Sequence, residues 1–457
     1  MPTSISDHIY KMKRHFRSGA TKSIGVRLAI INKLSAAINH YEADILKALK
    51  LDLGKPTFES LISEIGVFKE ELKMVQANIA EWANPIEVPN PIHLFGSESK
   101  ITPSPKGLVL IIGPWNYPFN LVMIPLLSAI AAGNVVVIKP SELSKATSDI
   151  IAKLLKEFLP EDVVYCVQGD ASITTDLLKH SWDHVFFTGS TRVGKIIAQA
   201  CASHLTPCTL ELGGKSPCIV DSTANLNEAA KRIVWGKFSN AGQTCVAPDY
   251  LLVHESIKDR LVEKIQLWIK NFYGIDPFQS ADYGRVINFA HYDRLVSYIT
   301  AGTAIHGGRR NREHRYIEPT LIDGATIDHP SMNEEIFGPI LPILTWNEKG
   351  QLLTLLECHQ NPLALYLFTK DKDFEDEIVA SVPFGGGCIN HTLLHLGNPN
   401  LPFGGIRDSG IGHYHGKFGF ETFSHSKSIF KAGLLDLGIK YPRSTPLKEK
   451  LLRFWLK

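Results

Sequence analysis

The sequence predicts an α/β protein built around parallel, doubly wound sheet structure. Short apolar runs recur along the chain, each the length of a strand buried on both faces. Helical stretches alternate with them, the signature of strands joined by helical crossovers. The chain has 457 residues, too many for one ordinary core, so two or more domains are expected.

The elements follow in order. Residues 24–84 are helical in character, with Leu28, Ile31, Leu34, Ala37 and Ile38 three and four apart and Trp82 near the end. The stretch Asn84-Pro85-Ile86-Glu87-Val88-Pro89-Asn90-Pro91 cannot be helical and reads as an extended surface arm. Residues 108–112 form an all-apolar strand ending in Gly113-Pro114, and residues 121–132 a buried helix ending at Gly133. Residues 134–140 are a second strand, after which Ser141 is expected to cap a helix from Glu142 to Phe158. Strands over 163–167 and 184–188 flank a helix over 173–180. Beyond Gly214 the alternation resumes, with strands at 217–220 and 250–253, a helix over 226–239, and another reaching residue 269. The segment 306–310 is polar and expected to be exposed. In the tail, 446–457, Leu447, Leu451, Phe454 and Trp455 fall near helical spacing between basic residues.

Composition narrows the function. With 48 basic and 46 acidic residues the formal charge is +2, which offers no concentrated basic face for nucleic acid. Seven cysteines, an odd number, show no CxxC spacing, so reduced thiols in a cytoplasm are expected and no metal site is proposed. Residues 1–17 lack the apolar core of a signal peptide, and 121–132 is too short to span a bilayer. The chain reads as soluble.

Five constellations carry chemistry. Residues 187–195, Phe-Thr-Gly-Ser-Thr-Arg-Val-Gly-Lys, place Gly189, Ser190 and Gly194 at a strand-to-helix turn whose free amides suit a pyrophosphate. Four residues separate the two glycines, unlike the usual dinucleotide fingerprint, and a plain tight turn is the competing reading. Lys139 and Glu142 follow a strand end, where a ribose is commonly held; a surface Lys beside a first-turn Glu is the bland alternative. Cys245 lies in Asn-Ala-Gly-Gln-Thr-Cys, small and polar surroundings unlike those of a structural thiol, and lowering its pKa there would make it a nucleophile. Glu211, between apolar residues and Gly213-Gly214, suits a carboxyl of raised pKa and general-base duty. Asn116, in Gly-Pro-Trp-Asn-Tyr-Pro, offers an amide to a developing oxyanion.

With these residues assembled, the chain resembles the aldehyde dehydrogenase superfamily over about residues 24–430. The runs Leu-Glu-Leu-Gly-Gly-Lys-Ser-Pro (210–217) and Phe-Ser-Asn-Ala-Gly-Gln-Thr-Cys-Val-Ala-Pro-Asp-Tyr (238–250) are the most specific. The runs at 113–118, 139–142, 334–339 and 401–405 occur in the family's order. The chain is most similar to the class 3 branch, by its lack of a long N-terminal extension, Thr244, the Ala-Pro-Asp-Tyr after Cys245, and Tyr414-His415-Gly416.

The resemblance implies NAD, with NADP as the alternative, and an aldehyde oxidised to a carboxylic acid. It implies that Cys245 attacks the aldehyde, that Asn116 and the Cys245 amide hold the oxyanion, and that Glu211 activates the water that hydrolyses a thioester. Trp115, Lys139, Glu142, Gly189, Ser190, Gly194, Leu212, Glu335 and Phe337 would contact the cofactor, with Glu335 and Phe337 at the nicotinamide end. It implies a Rossmann-like cofactor domain (1–85 and 103–211), a catalytic domain (212–394), a bridging arm (86–102 and 420–440) that makes a homodimer, and a tail (441–457). Arg192 in the pyrophosphate turn and Arg407-Asp408 depart from the commoner pattern, and leave NAD against NADP open.

A rival reading, an acylating enzyme that passes the thioester to coenzyme A, generally lacks the base that Glu211 provides. An inert structural protein would not need Cys245, Glu211 and Asn116 together. For the tail, packing on the body or over the substrate entrance is expected over a membrane-surface role. The aldehyde itself is expected to be aromatic or medium-to-long aliphatic, from Tyr117 and the residues at 391–395.

Overall fold

The computed structural model describes residues 4–434 and 441–455. The helical region 24–84 contains the helices Ile24–His40, Glu42–Leu53 and Val67–Trp82. The proline-rich arm is extended as expected: Ile86–Glu87 (β1) pairs with Glu98–Pro105 (β2). Then come Leu108–Ile112 (β3), Val135–Lys139 (β4), Val164–Cys166 (β5), His184–Thr188 (β6) and Cys208–Glu211 (β7). Pro217–Val220 (β8), Tyr250–His254 (β9) and Thr303–His306 (β10) precede the short pair Arg310–Asn311 (β11) and Tyr316–Ile317 (β12). Thr320–Asp323 (β13), Ile340–Trp346 (β14), Ala364–Phe368 (β15) and Gly386–Ile389 (β16) follow, then Gly410–Ile411 (β17) and Ser424–Lys431 (β18).

Among the described residues, three sheets of three or more strands organise the molecule. One has the order β17-β7-β6-β3-β4-β5, parallel apart from the returning edge strand β17. A second runs β10-β13-β14-β9-β8-β15-β16, parallel apart from β10. The arm is antiparallel, β1-β2-β18. The part of the predicted arm at 435–440 lies outside the described residues.

Alternation along the strands explains the double winding. Val109 and Ile111 of β3 enter one core, while Leu108, Leu110 and Ile112 enter another. Val136 and Ile138 of β4 divide from Val135 and Val137 in the same way. Both faces of this sheet are therefore covered, which all-apolar parallel strands require.

Register sets the site. In the first sheet Ile112 stands beside Lys139 and Phe187, and Thr188 beside Glu211, so the strand ends form one edge. From the end of β7 the chain needs only residues 212–216 to begin β8. The carboxyl edge of the first sheet thus faces the amino edge of the second, where residues 245–249 lead into β9 and 335–339 into β14.

The helix after β4 differs from expectation. It is Lys145–Phe158, three residues later than predicted, and Ser141 bonds only locally, accepting from the Leu143 amide at 3.3 Å. Its N-terminus is capped from elsewhere. The Asp52 carboxylate accepts from the Ala146 and Thr147 amides at 3.0 and 2.8 Å, which satisfies orphan donors of the first turn. The predicted polar segment is only partly exposed, since His306 and Gly308 are half-buried.

Candidate active site

The segment after β3 carries Asn116, which is buried and held at both ends. Its side-chain amide donates to the Gln243 carbonyl at 3.0 Å. Its own carbonyl accepts from the Lys55 ammonium at 3.1 Å and the Asn240 amide at 2.8 Å. Lys55 is itself paired with Glu64 at 2.6 Å, both side chains fully buried, and lies 3.9 Å from the centre of the Tyr117 ring. Glu64 also accepts from the Asn120 amide at 2.9 Å. A buried charge needs such pairing, and here the pair fixes the first turn of the helix Asn120–Ala132 and the Asn116 carbonyl together.

The Cys245 loop is built on unusual backbone. Asn240, Ala241 and Gly242 all have positive φ, at 52°, 51° and 74°. For residues with a side chain that costs about 1–2 kcal/mol each. Gln243 secures the turn: its amide donates to the Asn240 and Arg285 carbonyls at 2.9 Å each, and its oxygen accepts from the Ile287 amide at 2.9 Å. A side chain on Gly242 would lie 2.2 Å from the Gly338 carbonyl oxygen, so the Cys245 loop and the segment carrying Glu335 and Phe337 pack backbone to backbone. On its other side the loop meets the Asn116 segment, where Tyr117 and Thr244 share a hydrogen bond of 2.7 Å.

Electrostatics correct one expectation. The Cys245 thiol is not lowered; burial, and then the charges of Glu335 and Glu211, push it well up. Glu211 is buried, and burial alone pushes its carboxyl well above the usual range. Among the described residues neither of its oxygens has a hydrogen-bond partner. Glu335 is raised in the same direction, chiefly by burial, and its Oε1 is also buried without a partner among the described residues. Carboxyls held neutral exert little of the repulsion that raises the thiol.

A second ion-pair system supports the Glu335 segment. The Lys215 ammonium binds Asp249 at 2.5 Å and the Ser331 and Glu334 carbonyls at 2.8 and 3.0 Å. Asp249 in turn accepts from the Ile336 amide at 3.1 Å. Both residues lie in the two most specific runs of the sequence, yet their partnership had no signal in spacing. The same is true of Lys55 and Glu64.

The remaining predicted residues divide into a cradle and its packing. Lys139 and Glu142 are hydrogen-bonded to each other at the end of β4, with Glu142 partly exposed. Ser190 caps the helix Thr191–Ser203, accepting from Val193. A Cβ on Gly189 would meet the Phe187 ring at 2.5 Å. Trp115 packs against Phe337, ring centres 5.2 Å apart, and Phe337 has a positive φ of 51°. Gly194 belongs to the packing: a Cβ there would strike Leu212 at 2.5 Å, so it admits close helix–strand contact. The atypical Asp408 reaches this turn as well, pairing with Lys195 at 3.1 Å and accepting from Thr191 through its carbonyl at 3.0 Å.

These groups fit a dinucleotide. A helix N-terminus suits a pyrophosphate, and the orphaned Glu335 oxygen suits a ribose hydroxyl. The sequence model of the aldehyde dehydrogenase family matches residues 2–429. The chain belongs to that family. It is 47% identical to the 4,4'-diaponeurosporen-aldehyde dehydrogenase of Staphylococcus aureus, over 98% of this chain and 97% of that protein. It is 42% identical to the dimeric NADP-preferring aldehyde dehydrogenase of Rattus norvegicus, over 99% of this chain and all of that one. Among solved structures, the substrate-bound Staphylococcus aureus AldH superposes with a TM-score of 0.97 at 45% identity, covering 99% of this chain and 100% of that one. An NAD-dependent aldehyde dehydrogenase from Sinorhizobium meliloti gives 0.85 at 29% identity, covering 96% and 88%. The class 3 resemblance and the α/β architecture hold, and the activity is NAD(P)-dependent oxidation of aldehydes to carboxylic acids.

Proposed function

We propose that this oxidation runs through a covalent intermediate on Cys245 and ends in hydrolysis. The observation that carries the reading is Glu211, a buried carboxyl without partners among the described residues, whose charge acts on the Cys245 thiol. Keeping such a group unsatisfied costs stability, about 1–3 kcal/mol, and a carboxyl of raised pKa is a competent base near neutrality.

In this reading Cys245 Sγ bonds to the aldehyde carbon and gives up its proton, which leaves to solvent water as the one released overall. The carbonyl oxygen takes the negative charge, stabilised by the Asn116 side-chain amide and the Cys245 backbone amide. A nicotinamide held in the cradle would supply the two-electron acceptor needed for oxidation of the adduct to a thioester on Cys245. Glu211 then removes a proton from water as the water oxygen bonds to the thioester carbon. The carbon–sulfur bond breaks, the acid leaves, and the proton that Glu211 took from water passes to the sulfur, restoring both the thiol and the base. Lys139, Glu142 and Glu335 would hold ribose hydroxyls, Ser190 and Gly189 would face the pyrophosphate, and Trp115 and Phe337 would orient the ring. Gly194 and Leu212 would act through packing.

We assign residues 1–85 and 103–211 to the cofactor domain, 212–394 to the catalytic domain, and 86–102 with 420–440 to a dimerising arm. Exposed Ile92 and Phe95 in that arm support the last assignment. The seven free cysteines suit a reducing cytoplasm. The Staphylococcus aureus relative is named for an aldehyde substrate, 4,4'-diaponeurosporen-aldehyde; for this chain the aromatic Tyr117 at the Thr244 side favours aromatic or medium-to-long aliphatic aldehydes. Cys245→Ala tests the reading: aldehyde-dependent NADH formation is expected to vanish while cofactor binding, followed by fluorescence quenching, survives. Continued turnover in that variant would remove Cys245 from the mechanism.

A further inference from the structure

The buried acids Glu64 and Asp249 each have a lysine, Lys55 and Lys215, as counter-ion. Glu71, on the helix Val67–Trp82, is only 3% exposed, yet among the described residues it pairs with no lysine or arginine. Its two oxygens accept from the Gly416 amide at 3.1 and 3.0 Å, and Oε1 faces His415 Nδ1 at 3.9 Å. Burial pushes the Glu71 carboxyl up to about 7. Burial, with His395 nearby, pushes the His415 ring down to about 4, so it brings no positive charge near neutrality. Lys417 and Glu421, on the helix that follows, are exposed and pair with each other at 3.8 Å. No other charge acts on Glu71. Keeping a buried acid ionised without a cation is costly.

The turn that meets Glu71 also carries Tyr414. His415 has a φ of 84° and Gly416 one of 50°. For His415 this is strained backbone, of the kind retained where a site requires it. The Tyr414 ring packs on Phe186 of β6, centres 5.1 Å apart, and Gly410, four residues earlier, pairs with Glu211 itself. Burial pushes the Tyr414 phenol well up, and the charges of Glu211, Cys245 and Glu71 add to that in turn. One hydroxyl thus stands near the reacting pair and near Glu71. On the far side, Gly416 lies against Pro399 in the mostly exposed segment 397–402; a Cβ there would strike the Pro399 carbonyl at 2.1 Å.

We propose that Glu71 receives, by way of Tyr414, the proton that Cys245 gives up, and passes it to solvent. This rests on the reading of Cys245 as the nucleophile. As the thiol proton moves to the Tyr414 oxygen, the Tyr414 hydroxyl proton moves to the Glu71 carboxylate. Glu71, now neutral, releases it to water under residues 397–402. The tyrosine is never left as a phenolate, a form its burial strongly disfavours. A carboxyl that titrates near neutrality can both take up and release a proton there.

The test compares Glu71→Gln, Tyr414→Phe and the double variant. Glutamine keeps an oxygen for the Gly416 amide but cannot take up the proton, and phenylalanine keeps the ring on Phe186. First-turnover NADH formation is followed by stopped flow from roughly pH 5.5 to 9. In the parent the rate is expected to rise through an apparent pKa of about 7. Each single variant is expected to lose that step and to run at least about tenfold slower at about pH 7.5. The double variant should be no slower than the slower single one, because both block the same path. Cofactor binding by fluorescence quenching should match the parent. Rates within about twofold of the parent in either variant, a loss that keeps the pH step, or losses that multiply in the double variant overturn the proposal. Those results leave the covalent reading standing, since Cys245→Ala abolishes NADH formation whatever carries the proton.

Discussion

Lys55→Met removes one ammonium and disturbs three contacts beneath the site. The Glu64 partner at 2.6 Å loses its counter-charge, the Asn116 carbonyl loses a donor at 3.1 Å, and the Tyr117 ring loses the cation 3.9 Å from its centre. Breaking a fully buried pair by deleting one member costs about 3–5 kcal/mol. Glu64 moderates this by taking up a proton, since burial already pushes its carboxyl up. Nearby Glu59, pushed by burial to about 7 and drawn down by Lys55, rises further. Unfolding entropy of about 2.1 cal/mol/K per residue gives the chain roughly 1 kcal/mol per degree, so a melt should shift down by about 3–5 °C. The Asn116 carbonyl keeps its Asn240 donor, and loosened placement of the amide is expected to lower kcat about tenfold. Lys55→Met/Glu64→Leu removes both charges and should recover part of the melting temperature while kcat stays low. Calorimetry and steady-state rates check both. A single variant that melts within about 1 °C of the parent and turns over normally would refute the argument.

Gly242→Ala should fold less stably, by about 1 kcal/mol or more from its positive φ alone. It must also displace the Gly338 carbonyl and with it Glu335 and Phe337, so the KM for cofactor should rise; an unchanged KM would count against the backbone packing. Glu211→Gln should alter stability in a pH-dependent way. Because burial raises the folded carboxyl, Glu211 adds stability below the ordinary carboxylate range that is lost as pH rises through its folded pKa. Relative to the parent, the variant should therefore melt progressively higher from pH 5 to pH 9, as followed by circular dichroism. A difference that is flat or reversed contradicts the assigned ionisation.

Much of this was legible because apolar periodicity reports burial directly. The strands at 108–112, 184–188 and 217–220 needed no correction, since double-sided burial admits few other readings. The start of the helix Lys145–Phe158 was misplaced because its cap is Asp52, nearly a hundred residues earlier. No local signal could reveal that. Glu211's environment was readable from its apolar neighbours and glycines, whereas the Cys245 thiol was not. Small polar neighbours in sequence do not disclose that Glu211 and Glu335 converge on it from other segments. Lys55 with Glu64, and Lys215 with Asp249, escaped for the same reason: a buried pair is defined by distance in space.

The central claim is that Cys245 carries an acyl group which Glu211 releases by activating water. The direct measurement is intact mass spectrometry of Glu211→Gln after exposure to NAD and an aldehyde, followed by peptide mapping. The account predicts an added acyl mass on the peptide containing Cys245, formed with about one equivalent of NADH. It also predicts that the label is absent from Cys245→Ala. Normal turnover by Glu211→Gln with no mass added to Cys245 would contradict it.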